Sequence, residues 1–460
     1  MKKIVLTLTL LVVMGNLFSQ NLNSEMVEQL KSSYKPDAKD LAIRNAVTNN
    51  SINDLAFNRD FADKEDHYFE YEVKSGSITN QNSSGRCWMF TSLNVFRPVV
   101  MEKLNISNFE FSESYLYFWD ILEKSNIFLE RVIASGSEDI YSREVFTLFD
   151  SPVGDGGAWN SFTNLVVKYG VVPKDIMPES TQSKSTGKMI FLINEKLREG
   201  GLKIRDLISK KASKKEIQAT KLAILKDVYR ILAISLGEPP TEFQWRYKDE
   251  DGKISDYKTY TPLTFWEENV NANVDDYVMF IDDPTREYYK LYTKENDKNV
   301  YEGIDWTFVN VPSADLKAIA IESIKAGEIM YFSCDVGKQL SKTNGTLDLN
   351  NYDYESLFGV EFNMTREQRM LTHQSGSSHG MALCGVDLNA EGKPTKWKLE
   401  NSWGGDYGNS GYLTMTDEWF TEYFFRLVIN KKYLNTKILD VLKQKPEPVP
   451  YFNPAFSSDK

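Results

Sequence analysis

Near Trp245 this 460-residue chain changes its hydrophobic period. Upstream, apolar residues recur at helical spacing; downstream, short apolar runs bounded by turn residues read as strands. Helices are expected from Cys87 (apolar Trp88, Phe90, Leu93 and Phe96 ahead of Pro98), over 112–129, over 159–169 and over 214–236. In the last of these Ser213 and Glu216 form a capping box, Ile224, Val228 and Ile231 share one face, and Gly237 with Pro239 and Pro240 ends it. Such a helix is about 34 Å long. Strands are expected at 277–281, 306–311, 329–334, 381–386, 395–400 and 411–415, with a helix at 314–326 among them. A helical half followed by a strand-rich half is α+β organisation. Segment 24–60 reads as polar helix and turn, and the proline-bearing tail beyond Leu442 as an extended arm.

Composition narrows the chemistry. With 54 basic against 65 acidic residues and no long basic run, no nucleic-acid partner is expected. Three cysteines cannot staple a fold of this size, and three histidines leave little for a multi-histidine metal centre. No cofactor is implied. Lys2 and Lys3 precede a mostly apolar run from Ile4 to Val13, then Gly15, Asn16 and Ser19, the layout of a secretory signal peptide over 1–19. The run falls short of the roughly 20 apolar residues a membrane span needs. An exported protein, periplasmic or secreted, without an integral membrane span in its mature form is the expectation. A free thiol kept in such a compartment calls for a functional explanation.

Cys87 supplies one. It follows Ser83-Ser84-Gly85 at an expected helix N-terminus, with Arg86 beside it, and helix-end N–H groups and a neighbouring cation favour thiolate over thiol. Gln81 is placed to reach back over the turn and, with the Cys87 N–H, to offer two donors to a developing oxyanion. His379 opens an apolar strand, and Asn401 lies 22 residues later at the end of the next one. On neighbouring strands Asn401 would orient the His379 imidazole, and Trp403 would shield their bond from water. Nucleophile, base and orienter are thus present. Cys334 and Cys384, inside apolar strands, read as buried and inert. His373 reads as a loop residue and His67 as solvent-facing.

The segment Gln81-Asn82-Ser83-Ser84-Gly85-Arg86-Cys87-Trp88 resembles the active-site segment of papain-type cysteine peptidases, and more narrowly the bleomycin hydrolase/aminopeptidase C branch. The likeness continues through 111–120 (FSESYLYFWD), 155–159 (DGGAW), 168–174 (KYGVVPK), 398–404 (KLENSWG) and 411–420 (GYLTMTDEWF). It implies a papain-like cysteine peptidase fold, with a helical left half, a β-barrel-like right half, an inserted helical hook domain and a C-terminal arm. It implies Cys87 as nucleophile, His379 as general acid/base, Asn401 as orienter, Gln81 as oxyanion donor, and Gly156-Gly157 as the glycine pair that meets extended substrate. Where secreted papain-type enzymes carry a disulfide-forming cysteine, this chain has Ser84.

The resemblance divides the chain into the signal peptide 1–19, an N-terminal segment 20–65, a nucleophile-bearing half 66–185, a helical insertion 186–245, a strand-rich half 246–441 and an arm 442–460. In this branch the insertion assembles hexamers, so a homo-oligomer is expected. The arm's terminal carboxylate, here on Lys460, would meet the free amino group of peptide substrates and make the enzyme an aminopeptidase. The polar last four residues, Ser457 to Lys460, leave the arm's register open. An endo- or oligopeptidase with an unblocked cleft, and a catalytically silent peptide-binding scaffold, stand as alternatives.

Overall fold

The computed structural model describes residues 21–61, 64–295 and 297–449. The expected signal peptide and Lys460 lie outside them. Residues 21–57 and 354–360 form one compact unit. It contains helices Ser24–Ser33, Ala38–Val47, Ile52–Ala56 and Tyr354–Phe358. Asp37 and Asp40 close a capping box on the second, each side chain accepting the other's backbone N–H at 2.9 Å.

The larger unit, residues 58–353 and 361–449, holds the period change read from the sequence. Its helical part contains α1 (Cys87–Leu104), α2 (Glu113–Ala134), α3 (Trp159–Tyr169), α4 (Gly187–Ser209) and α5 (Lys214–Leu236). Ser112 caps α2 and Ser213 caps α5 through their hydroxyls. Helix α1 runs through Pro98, its residues from Cys87 to Arg97 all buried, so packing on every side holds a helix that proline would otherwise break. The aromatic residues Tyr115, Tyr117 and Phe118 of α2 lie in the core.

The strand-rich part is built on β1 (Tyr277–Ile281), β2 (Lys290–Lys294), β3 (Trp306–Asn310), β4 (Met330–Cys334), β5 (His379–Leu388), β6 (Pro394–Glu400), β7 (Tyr412–Thr416) and β8 (Phe424–Asn430). These run in the order β2-β3-β1-β8-β4-β5-β6-β7 through a mixed sheet. Alternation along β5 sorts its side chains to two cores. Met381 and Leu383 join Phe332, Leu427 and the helix Ser313–Lys325, while Ala382 and Cys384 join Tyr331, Val428 and the helical half.

Among the labelled elements, α4, β2 and β8 were not anticipated by periodicity. Helix α4 carries Gly200-Gly201 at its middle, a pair that reads as a breaker. The structure shows why it is there: a Cβ on Gly200 would lie 2.6 Å from Ile224 of α5, and one on Gly201 2.9 Å from Phe149. Gly200 lets two long helices approach closely, and Gly201 makes room for the Phe149 ring. Strand β8 sits inside the sheet between β1 and β4, and its run is interrupted by a fully buried Arg426, whose guanidinium lies 4.3 Å over the Trp306 ring.

Among the described residues no helix is long and apolar enough to cross a membrane.

Candidate active site

Three elements bring the sequence-derived residues together. Helix α1 packs on β5, which places its first residue, Cys87, at the start of that strand. In β5, His379 pairs with Cys334 of β4 and Ala382 with Glu400 of β6. The antiparallel register then carries Asn401, the residue after β6, alongside His379.

The Gly380 backbone N–H donates to Cys87 Sγ at 3.4 Å, so the residue after His379 touches the Cys87 sulfur directly. His379 Nε2 lies 2.8 Å from Asn401 Oδ1. The same oxygen accepts the Ser402 backbone N–H at 2.8 Å, which identifies it as the carbonyl oxygen of the amide. An oxygen can only accept, so Nε2 carries the hydrogen and Nδ1 is the basic nitrogen. The Trp403 ring stacks on the imidazole with centroids 4.6 Å apart and an interplanar angle of 29°, and His379 is only 2% exposed. Water is excluded from the His379–Asn401 bond.

Gln81 is held on both ends of its carboxamide. Its Nε2 donates to the Ser84 carbonyl at 2.7 Å, and its Oε1 accepts the Ser402 hydroxyl at 2.7 Å. One hydrogen of the NH₂ is used by Ser84, which leaves the second as a donor in the turn before Cys87. Ser402 was not singled out in the sequence. It lies between Asn401 and Trp403, and its hydroxyl ties the oxyanion candidate to the orienter's segment.

Arg86 departs from its expected role as a cation for the thiolate. Its fully buried guanidinium forms a fork-to-fork pair with Glu179 (Nη1–Oε1 3.0 Å, Nη2–Oε2 2.7 Å) and also donates to Ser183 O at 2.7 Å. That charge is neutralised within the pair, which anchors the turn beneath Cys87. The feature left at Cys87 that favours thiolate in general is its place at the N-terminus of α1. Asp155, also unremarked in the sequence beyond its DGG context, accepts the Gly85 N–H at 2.9 Å and the Tyr117 hydroxyl at 2.5 Å. It joins the nucleophile turn to the Gly156-Gly157 turn. A Cβ on Gly157 would meet the Trp88 indole at 2.5 Å, so only glycine fits there. A cavity of about 640 Å³ opens beside both turns, with Gly85, Pro152, Val153, Gly156 and Ile190 in its wall.

The profile of the Peptidase C1-like family matches residues 21–455. The chain belongs to that family. Bleomycin hydrolase of Homo sapiens is 39% identical over 447 residues, covering 95% of this chain and 98% of the human protein. Aminopeptidase C of Streptococcus thermophilus is 37% identical over 436 residues, covering 94% of this chain and 98% of its own. The crystal structure of PepW from Lactobacillus rhamnosis HN001 matches with a TM-score of 0.92 at 39% identity, over 96% of this chain and all of the other. The fold of this peptidase C1-like chain is papain-like, and the chain is a cysteine peptidase.

The other cysteines of this peptidase, Cys334 and Cys384, are buried. Burial drives the Cys384 thiol far above its ordinary range, with Glu400 adding to the effect, so it is no nucleophile. His67 does not face solvent as expected: it is partly buried, its Nδ1 2.7 Å from the Thr414 hydroxyl, and desolvation lowers its pKa. His373 is an exposed turn residue. Among the described residues no cluster of His, Cys, Asp and Glu suited to a metal ion occurs.

Proposed function

We propose that this chain is a thiol aminopeptidase that removes residues from the free N-terminus of peptides, with Cys87, His379 and Asn401 as its catalytic group. The observation that carries the reading is the alignment of His379 Nε2 on Asn401 Oδ1 at 2.8 Å with Gly380 N–H on Cys87 Sγ at 3.4 Å. It leaves Nδ1 to take the thiol proton. The Cys87 thiolate then attacks the scissile carbonyl carbon, and the oxyanion of the tetrahedral intermediate is met by the Gln81 amide and the Cys87 N–H. On collapse the C–N bond breaks, and the His379 imidazolium gives its proton to the leaving amine. Water, deprotonated by His379, cleaves the thioester and returns the enzyme.

The relatives named bleomycin hydrolase and aminopeptidase C support the aminopeptidase mode. Its proposed basis is a carboxylate at Lys460 set against the substrate ammonium. Assembly into a homo-oligomer, a hexamer by likeness to that branch, is proposed through the helical insertion 186–245, and export through residues 1–19. Mapping of the reactive thiol tests the catalytic assignment. One equivalent of iodoacetamide, after reduction, should label Cys87 alone and abolish hydrolysis in proportion. Labelling of Cys334 or Cys384 with activity retained would reject it.

A further inference from the structure

The wall that carries Gly156 and Gly157 belongs to no helix or strand beyond a single bridge residue at Gly157, yet its carbonyls are fixed by side chains of α1 and α2. Lys124, on α2, donates from Nζ to Asp120 Oδ2 at 2.6 Å, to Gly156 O at 2.8 Å and to Gly154 O at 3.0 Å. Those contacts use all of the ammonium's hydrogens. The carbonyl between them, of Asp155, accepts the Trp88 indole N–H at 2.7 Å, and Lys124 sits 5.5 Å over that same ring. Asp120 is fully buried and is itself held by Asn299 Nδ2 at 2.8 Å, so the ammonium has a rigid base.

The Gly156 carbonyl and the Gly157 N–H belong to one planar trans peptide, so they point in opposite directions. Holding the carbonyl against Lys124 turns the Gly157 N–H away from α2. Glycine has no Cβ to restrict its own backbone, so the orientation of this peptide depends on the contacts around it.

We infer that Lys124 is a positioning residue: it locks the 156–157 peptide so that the Gly157 N–H is presented to a main-chain carbonyl or carboxylate oxygen of an extended peptide lying along the turn. The inference rests on the peptidase reading. The acceptor has two sources, the substrate itself or the chain's own arm 442–460, and both offer the same oxygen.

Binding separates this inference from the catalytic reading, because it needs no turnover. Full-length Cys87→Ala protein is titrated calorimetrically with an alanine tripeptide bearing a free N-terminus, beside Cys87→Ala/Lys124→Met and Cys87→Ala/Lys124→Arg. The account expects the Met variant to bind about tenfold more weakly, as for one lost oriented hydrogen bond, and the Arg variant to recover most of the affinity. Equal affinity in all three folded proteins overturns it. So does an equal loss in the Met and Arg variants, which marks a packing defect rather than a held carbonyl.

The sources are told apart in the active enzyme carrying Lys124→Met alone. A rise in KM for free-amine peptides, with acetylated peptides still refused, assigns the acceptor to substrate. New cleavage of acetylated peptides assigns it to the arm. A fall in kcat with KM unchanged for both substrate sets overturns the inference.

Discussion

The Asn401 carboxamide decides which nitrogen of His379 holds the proton, because its oxygen also accepts the Ser402 N–H and so cannot be exchanged for the NH₂. Asn401→Ala should lower kcat/KM by about 10²-fold, with a smaller effect on KM. Asn401→Asp would place a negative charge at Nε2 and favour the imidazolium. The basic limb of the kcat/KM profile should then move to higher pH; an unmoved limb would mean Asn401 does not act on the imidazole. Its neighbour Glu400 has a different influence. Burial pushes its carboxyl up to about 7, although Arg97 lies 3.1 Å away and pulls the other way. The folded protein therefore holds this proton more tightly than the unfolded chain, where the ordinary value is 4.5. Stability from this group is fully present below pH 4.5, falls as pH rises toward 7 and is flat above. Thermal midpoints measured across that window should slope downward, and the slope should be shallower in Glu400→Gln.

At the scale of elements, the turn before α1 depends on Arg86 and Glu179, whose side chains are 0% and 7% exposed. Arg86→Met leaves Glu179 buried without its partner and should cost about 3–5 kcal/mol in urea unfolding; replacing both by apolar residues should recover much of that. Gly157→Ala forces a methyl to within 2.5 Å of the Trp88 ring, and should cost about 1–3 kcal/mol in the same assay with a rise in KM. How far the sequence foretold these elements depends on where their constraints come from. Helix α5 and strand β1 were legible to the residue because capping, periodicity and turn residues are local signals. Helix α4 was hidden by Gly200-Gly201, whose reasons are contacts with Ile224 and Phe149, both distant in sequence. Strand β8 was hidden because a strand inside the sheet shows no polar alternation and carries the buried Arg426. At the site, Cys87, His379, Asn401 and Gln81 were legible from residue type and order. Ser402, Asp155 and Lys124 were not, since serine, aspartate and lysine are common and only the fold shows what they hold.

For the whole molecule, the long separation of Cys87 from His379 matters less than it looks. Helices α4 and α5 lie within it, while α1 and β5 pack directly. The proposed hexamer predicts that light scattering on mature protein gives about six times the chain mass; a monomer would remove it. The proposed export predicts a mature N-terminus near residue 20 in fractionated cells, and one at Met1 would contradict it. The aminopeptidase chemistry of Cys87 is tested by matched fluorogenic peptides, with free and with acetylated N-termini, on reduced protein beside Cys87→Ala. Cleavage of the free-amine set alone, absent from the variant, is the expected result. Equal cleavage of both sets, or activity that survives in Cys87→Ala, would contradict it.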